Sequence, residues 1–262
     1  MKATLTLLVV VSSVMCFLIQ VPARQTVEHF IQKEILRKQP ENSFSKTVDG
    51  ISGSDIIQKY LATLGGKESL NQIQTLDFQG KISINGMELN YAERKETPNR
   101  DYITLSVDKD TIMRSFFDGA TGYNQQPGQK TSLTDDDIKE RNSDYLGLFN
   151  QVHYLKDSAS FILKNLSKVS SNDSTVYQLD IAMPSGKIVS EFYDAQSFLL
   201  VKTVEIDTKN SDTVTTSKSF SNYRSINGIR FPFKIDIVKT QSGKEQILSI
   251  NIDATQINLP EE

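Results

Sequence analysis

The spacing of apolar residues changes near Thr75 from a helical period to strict alternation, and alternation dominates the chain from there on. The first four alternating segments are 76–84, 87–96, 101–108 and 111–117. Between them lie residues typical of hairpin turns, namely Asn85-Gly86, Pro98-Asn99 and Asp108-Lys109-Asp110. These segments are rich in β-branched and aromatic residues, so the sequence predicts antiparallel strands joined by hairpins.

A second series of alternating segments begins near residue 160. Its members are 160–169, 174–183, 187–194, 198–206, 213–224, 229–239 and 246–257. Three of its turns are marked by Ser185-Gly186, Asn227-Gly228 and Ser242-Gly243. About eleven strands are too many for a flat sheet. We therefore expect a mainly β fold with one large antiparallel sheet that curls.

Two stretches interrupt the alternation with helical spacing. Ser54-Asp55 is expected to cap a helix whose apolar residues run from Ile56 to Leu64 and which stops at Gly65-Gly66. Thr134 precedes three aspartates in a capping-box pattern, and the helical stretch that follows reaches about Leu155. Each of these helices needs an apolar surface to cover, which the curled sheet provides.

The N-terminus has the features of an export signal. Lys2, an apolar run from Leu5 to Ile19 and the small residues Val21 and Ala23 predict a secretory signal peptide that is cleaved after Ala23. A membrane anchor is the alternative, but the run is slightly short for a span. We expect a signal peptide over 1–23, a flexible lead-in over 24–52 and one folded domain over 53–262.

Composition and motifs exclude several classes of function. The 29 Lys and Arg residues against 32 Asp and Glu give a net charge of −3, so no basic excess favours nucleic acid. Only two histidines, His29 and His153, and one cysteine, Cys16, are present. No metal-binding, phosphate-loop or nucleophile motif fits its required spacing. We expect no metal, no cofactor and no enzymatic activity.

The curled sheet has more concave area than two modest helices can cover, so a cavity for an apolar ligand is reasonable. Arg114 and Phe116 share one face of their strand, and Phe231 and Phe233 share one face of theirs. Covered core is the alternative for most such positions. The lining predicted for the cavity consists of Phe78, Leu105, Phe116, Leu200, Phe231 and Phe233.

Three segments, 60–82, 192–206 and 220–237, resemble the outer-membrane lipoprotein-sorting family, of which LolA is the archetype, in its Bacteroidetes-type exported members. The resemblance implies an unclosed half-barrel with helices over its concave face. It also implies a periplasmic carrier, expected to be a monomer, whose cavity takes acyl chains of lipoproteins or lipids and which meets a membrane-bound donor or acceptor. An arginine near the cavity would hold a helical lid shut, with Arg114 as the candidate and Arg94 and Arg100 as competitors.

Similar folds also serve as sensor domains, so the fold alone does not choose a function. The second hypothesis is therefore a non-catalytic periplasmic sensor or interaction module, which uses the same cavity or a sheet edge to bind a protein partner.

Overall fold

The structure is a computed structural model that describes residues 43–145, 147–157, 159–171, 174–207 and 213–258. The predicted signal peptide, His29 and Cys16 lie outside these residues. Within the described segments, no helix is both long enough and apolar enough to cross a membrane.

Fifteen strands are formed by the described residues, and thirteen of them make one antiparallel sheet. Their bounds are β1 Thr47–Val48, β2 Ile51–Ser52, β3 Thr75–Ile84, β4 Met87–Glu96, β5 Arg100–Val107, β6 Asp110–Phe117, β7 Gly122–Gln126, β8 Gln129–Ser132, β9 Ile162–Ser171, β10 Ser174–Ala182, β11 Ile188–Asp194, β12 Leu200–Asp207, β13 Val214–Ile226, β14 Ile229–Gln241 and β15 Lys244–Ile257. The eleven predicted strands are confirmed. The prediction missed β7 and β8, since their sequences are polar on both faces and carry no alternation.

The large sheet consists of two meanders that meet at one pair of strands. Its order is β8-β7-β6-β5-β4-β3-β15-β14-β13-β12-β11-β10-β9, so β3 pairs with β15 in the middle and the edges are β8 and β9. Thirteen flat strands would be about 58 Å wide at the usual spacing. The sheet instead curves into an unclosed half-barrel, and residues 133–161 connect its two edges across the concave side. We call this concave side the groove.

Four helices are formed by the described residues, and their bounds are α1 Gly53–Leu64, α2 Lys67–Asn71, α3 Asp135–Asp144 and α4 Gln151–Tyr154. The N-cap of α1 is Ser52, whose hydroxyl accepts from the Asp55 amide while the Asp55 carboxylate accepts from the Ser52 amide. The predicted cap at Ser54 is therefore two residues late. The capping box at Thr134 and Asp137 is confirmed.

The second helical stretch is shorter than predicted. It ends at Asp144, and a separate turn of helix, α4, follows at Gln151–Tyr154. Gly147 adopts a φ of 155°, and so the chain leaves the helical path between the two.

The folded region begins before the predicted boundary at residue 53. Phe44 is buried in the main core and its ring lies 6.3 Å from that of Tyr154. Residues 47–52 form the small β1–β2 sheet, which contacts β9 and leads into α1. An apolar side chain therefore ties this part of the predicted lead-in to the domain.

Candidate functional site

Of the six predicted lining residues and the candidate lid arginine Arg114, five lie in the buried core of the groove. They are Phe78, Leu105, Leu200, Phe231 and Phe233. Phe78 and Phe231 come from β3 and β14, and their ring centroids are 6.1 Å apart. Strands distant in sequence therefore bring an aromatic cluster together on the concave side.

Arg114 and Phe116 lie on the outer face of the sheet, apart from the other five. Alternation along β6 buries Met113, Ser115 and Phe117, so their neighbours point the opposite way. Phe116 packs between Tyr102 and Tyr123 of the adjacent strands, with both centroid distances 5.1 Å. Arg114 and Phe116 therefore lie away from the groove.

The two competing arginines also lie away from the groove. Arg94 shares the outer face with Asp77, its register partner on β3, and its guanidinium pairs with Asp77 and Glu96. Arg100 pairs with the same glutamate at 3.5 Å. The buried arginine over the groove is Arg141, on α3.

A cavity of about 270 Å³ lies at one end of the groove, and we call it the mouth cavity. It is lined by Leu70, Asn71, Ile73, Gln74, Thr97, Pro98, Gly147, Leu148, Phe149, Val152 and His153. At its inner side the Phe149 ring lies 6.3 Å from Phe231, which in turn contacts Phe78. A continuous path of aromatic rings thus connects the mouth cavity with the core of the groove.

A second cavity, of about 340 Å³, lies over the middle of the sheet. It is lined by Gln79, Gly80, Lys81, Asn90, Tyr91, Ala92, Thr104, Ser106, Asp253 and Ala254. Most of these side chains are polar or small. This cavity offers little apolar surface to a hydrocarbon chain.

The helix α3 lies over the groove, and its C-terminal half is held to both walls by polar contacts. On one side the amide of Asn99 donates to the Arg141 carbonyl at 3.0 Å, and that of Asn142 donates to the Gly119 carbonyl at 2.7 Å. On the other side the Asp144 carboxylate accepts from the backbone amide and hydroxyl of Ser185 at 2.9 and 2.7 Å. Ile138 is the one apolar residue of α3, so this cover is attached almost without hydrophobic contact.

An ion-pair cluster strengthens the second attachment. Lys187 pairs with Glu140 of α3 and with Glu205 and Asp207 of β12, the last two at 2.7 and 3.6 Å. Burial alone would lower the pKa of Lys187, but these carboxylates raise it above its ordinary value. Lys187 therefore stays charged while α3 is in place.

A buried carboxylate holds α4 in the groove. Glu191 accepts hydrogen bonds from Tyr154 and Gln151 at 2.9 Å and from Tyr193. Burial raises the pKa of Glu191, and the three hydrogen bonds oppose that rise only in part. Tyr154 is almost fully buried, so α4 packs into the core of the groove through an aromatic side chain.

A row of charged and aromatic side chains crosses the groove under α3, and we call it the charged row. Lys95 of β4, Asp101 of β5 and Phe117 of β6 are register partners on one face, and the guanidinium of Arg141 lies over Phe117 at 5.1 Å. Burial raises the pKa of Asp101, although the positive charges of Lys95 and Arg141 oppose it.

The fold is similar to that of one solved structure at a TM-score above 0.5, and two further structures match below that score. The chain matches a putative outer membrane lipoprotein-sorting protein domain from Vibrio parahaemolyticus at 12% identity and a TM-score of 0.53, over 80% of this chain and 93% of that one. A LolA superfamily protein from Nitrosomonas europaea matches at 12% identity and a TM-score of 0.48, over 77% and 94%. A DUF1329 family protein from Desulfovibrio piger matches at 12% and 0.49, over 80% and 93%.

No protein-family model matches the sequence, and a search of curated proteins finds no match. The fold of the Vibrio domain is thus shared at an identity that carries no residue-by-residue assignment. Among the described residues, no group of three or more His, Cys, Asp or Glu side chains is placed to hold a metal ion.

Sequence reasoning missed Asp101 and Arg141 as groove residues and assigned Phe149 only to a helix. Asp101 is the second residue of β5, whose alternation places it on the same face as Ile103 and Leu105. Its position in the alternation is therefore the sequence signal that places Asp101 on the groove side. The sequence does not indicate that Arg141 is buried. Ile138 is the one apolar residue of α3, so no apolar stripe marks the side of the helix that faces the groove.

Proposed function

We propose that the protein is a non-catalytic periplasmic carrier that binds acyl chains of lipoproteins or lipids in its groove. The observation that carries the proposal is the path from the mouth cavity through Phe149 to Phe231 and Phe78. These rings give a hydrocarbon chain a continuous apolar route into the sheet. The fold shared with the Vibrio lipoprotein-sorting domain supports the same class of function.

In this structure the groove is filled by the protein's own side chains. Phe149 is half-buried on Phe231, and Val152 and Tyr154 cover the neighbouring surface. An incoming chain would displace Phe149 and occupy its place. A carrier gains from such a plug, because the empty groove then keeps its apolar surface away from water.

The cover formed by α3 suits repeated opening. Lifting it breaks hydrogen bonds and ion pairs whose groups water then solvates, and it exposes only one apolar side chain of α3, Ile138. A sixteen-carbon chain can gain at most about 12 kcal/mol from burial, before the costs of ordering and of opening the groove. We expect micromolar affinity after these costs, and such affinity would allow release to an acceptor.

The test is titration of the protein with a fluorescent fatty acid. We expect saturation near one equivalent, and Phe231→Asp should abolish it. Phe149→Asp is a second variant at a half-buried position that leaves the core intact, and it should weaken binding. Phe116→Asp, on the outer face, is the matched control and should bind normally. If the folded protein gives no saturable binding of fatty acid, acylated peptide or phospholipid, the carrier proposal fails and the interaction-module hypothesis replaces it.

A further inference from the structure

The charged row contains a buried carboxyl oxygen that has no hydrogen-bond partner among the described residues. This atom is Oδ1 of Asp101. Its neighbour Lys95 pairs with Glu93 at 3.0 Å and is not a hydrogen-bond donor to this oxygen. A buried acceptor left open is costly, and such groups in native proteins call for an explanation.

Two further positive side chains lie close to this carboxyl group, one in the charged row and one on β13. Arg141 is buried, and among the described residues its guanidinium makes a ring contact with Phe117 but no hydrogen bond or ion pair. Phe117 is the register partner of Asp101, and the Arg141 guanidinium lies over the Phe117 ring. Lys218 of β13 lies in register with Ile237 and the buried Leu248, on the groove side.

The charged row also adjoins the proposed acyl route. Thr97 and Pro98, which line the mouth cavity, belong to the turn that joins Lys95 to Asp101. On β4, Glu93 is the register partner of Phe78, and Lys95 is the next residue of β4 on the same face. A chain that enters at Phe149 would therefore leave its polar end beside Asp101 and Arg141.

We propose that Asp101 and Arg141 bind the zwitterionic head group of an acyl lipid that carries a phosphate and a primary ammonium. This inference rests on the proposed carrier function and deepens it. The ammonium N–H donates to Oδ1 of Asp101, and the phosphate accepts from Arg141, with Lys218 adding positive charge from the opposite wall. A quaternary ammonium has no N–H to donate, and a glycerol head group has no cation for Asp101.

The site is closed in this structure and opens with α3. Arg141 belongs to α3, and Asp101 lies beneath it on the sheet. The two halves of the site therefore separate when α3 rises and come together over a bound head group. Through the phosphate, the head group would contribute to holding α3 closed over a loaded groove.

The experiment exposes the protein to vesicles with equal amounts of phosphatidylethanolamine, phosphatidylcholine and phosphatidylglycerol, and mass spectrometry then quantifies the lipid recovered with it. We expect about tenfold enrichment of phosphatidylethanolamine, the size of effect that a charged hydrogen bond provides. Asp101→Asn and Arg141→Gln should each remove most of the enrichment while fatty acid still binds. Asp77→Asn and Arg94→Gln, an ion pair on the outer face, are the matched controls and should keep it.

Equal recovery of the three lipids, or enrichment that survives Asp101→Asn, would overturn the head-group proposal and leave the carrier function standing. Soluble phosphoethanolamine is tested at the same concentration and should not displace the lipid. If it binds as tightly as the lipid does, the site recognises the free compound and the lipid proposal is wrong. If the wild-type protein binds no fatty acid, the carrier proposal itself is wrong, and the head-group proposal fails with it.

Discussion

The hydroxyl of Tyr154 donates a hydrogen bond of 2.9 Å to Oε1 of Glu191, and this contact fixes α4 to β11 inside the groove. Tyr193 and Gln151 donate to the same carboxylate. The buried Glu191 side chain thus anchors α4, and Phe149 lies two residues before α4 in the chain. The ionisation state of Glu191 consequently affects both stability and access to the groove.

The pH dependence of stability should change in Glu191→Gln. Burial raises the pKa of Glu191 above its ordinary value of 4.5, so its contribution is fully present below about pH 4.5 and is lost as the pH rises through the folded-state pKa. Each unit of pKa difference corresponds to about 1.4 kcal/mol. Urea denaturation between about pH 4 and 8 should show the variant gaining stability relative to wild type as the pH rises. The exposed Glu68→Gln is the control, and parallel curves for Glu191→Gln and wild type would contradict the expectation.

Removing the plug should ease entry to the groove. In Phe149→Ala the ring that covers Phe231 is absent, so we expect faster association of a fluorescent fatty acid and tighter binding. Phe149 is only half-buried, so the loss of stability should stay below about 3 kcal/mol, the lower end for a fully buried phenylalanine. Stopped-flow fluorescence measures the rate, with Phe116→Ala as the outer-face control. An unchanged rate in Phe149→Ala would show that Phe149 does not guard the route.

Locking α3 should block uptake. The side chains of Asp144 and Ser185 are in direct contact, so Asp144→Cys with Ser185→Cys puts two thiols on the facing positions, where a short bis-thiol crosslinker can join them. With Cys16→Ser in the background, crosslinking should slow fatty acid uptake relative to the untreated variant. The control is Ser170→Cys with Thr175→Cys, register partners of β9 and β10 that lie away from α3. Equal uptake by the crosslinked and untreated forms of the first pair would exclude α3 as the moving cover.

The middle of the sheet should depend on a glycine. A Cβ at Gly80 would lie 2.0 Å from the carbonyl oxygen of Asn251, next to the register shift between β3 and β15. Gly80→Ala should therefore cost about 3 kcal/mol of unfolding free energy, since the backbones have to separate. Gly86→Ala, in an open turn with a φ of 85°, should cost about 1 kcal/mol. Thermal unfolding of both variants checks the ranking, and equal losses would contradict it.

Alternation was enough to predict most of the sheet, because a strand with one buried face has apolar residues at every second position. It gave β3 to β6 and β9 to β15 within a few residues at each end. It missed β7 and β8, whose residues are polar on both faces, so these strands depend on pairing with β6 rather than on burial of their own. The turn at Asn227-Gly228 was predicted correctly, and both residues have positive φ.

The candidate site was less predictable, because it depends on which residues of each strand face the groove and on contacts between residues far apart in the sequence. Phe116 and Phe117 are adjacent, and the sequence does not say which of the two faces the groove; the inward one is Phe117. Asp101 and Arg141 are forty residues apart, and their relation exists only because α3 crosses from one wall of the groove to the other. Local patterns record neither fact.

The most direct test of the central claim is to locate a bound acyl chain. A fatty acid with a photoreactive diazirine at its far end is bound to the protein and activated, and the labelled peptides are identified by mass spectrometry. The account predicts labels on the inner-face segments that carry Phe78 and Phe231, and their loss when excess unlabelled fatty acid competes. Labels confined to the outer face around Tyr102, Phe116 and Tyr123, or labels that resist competition, would contradict it.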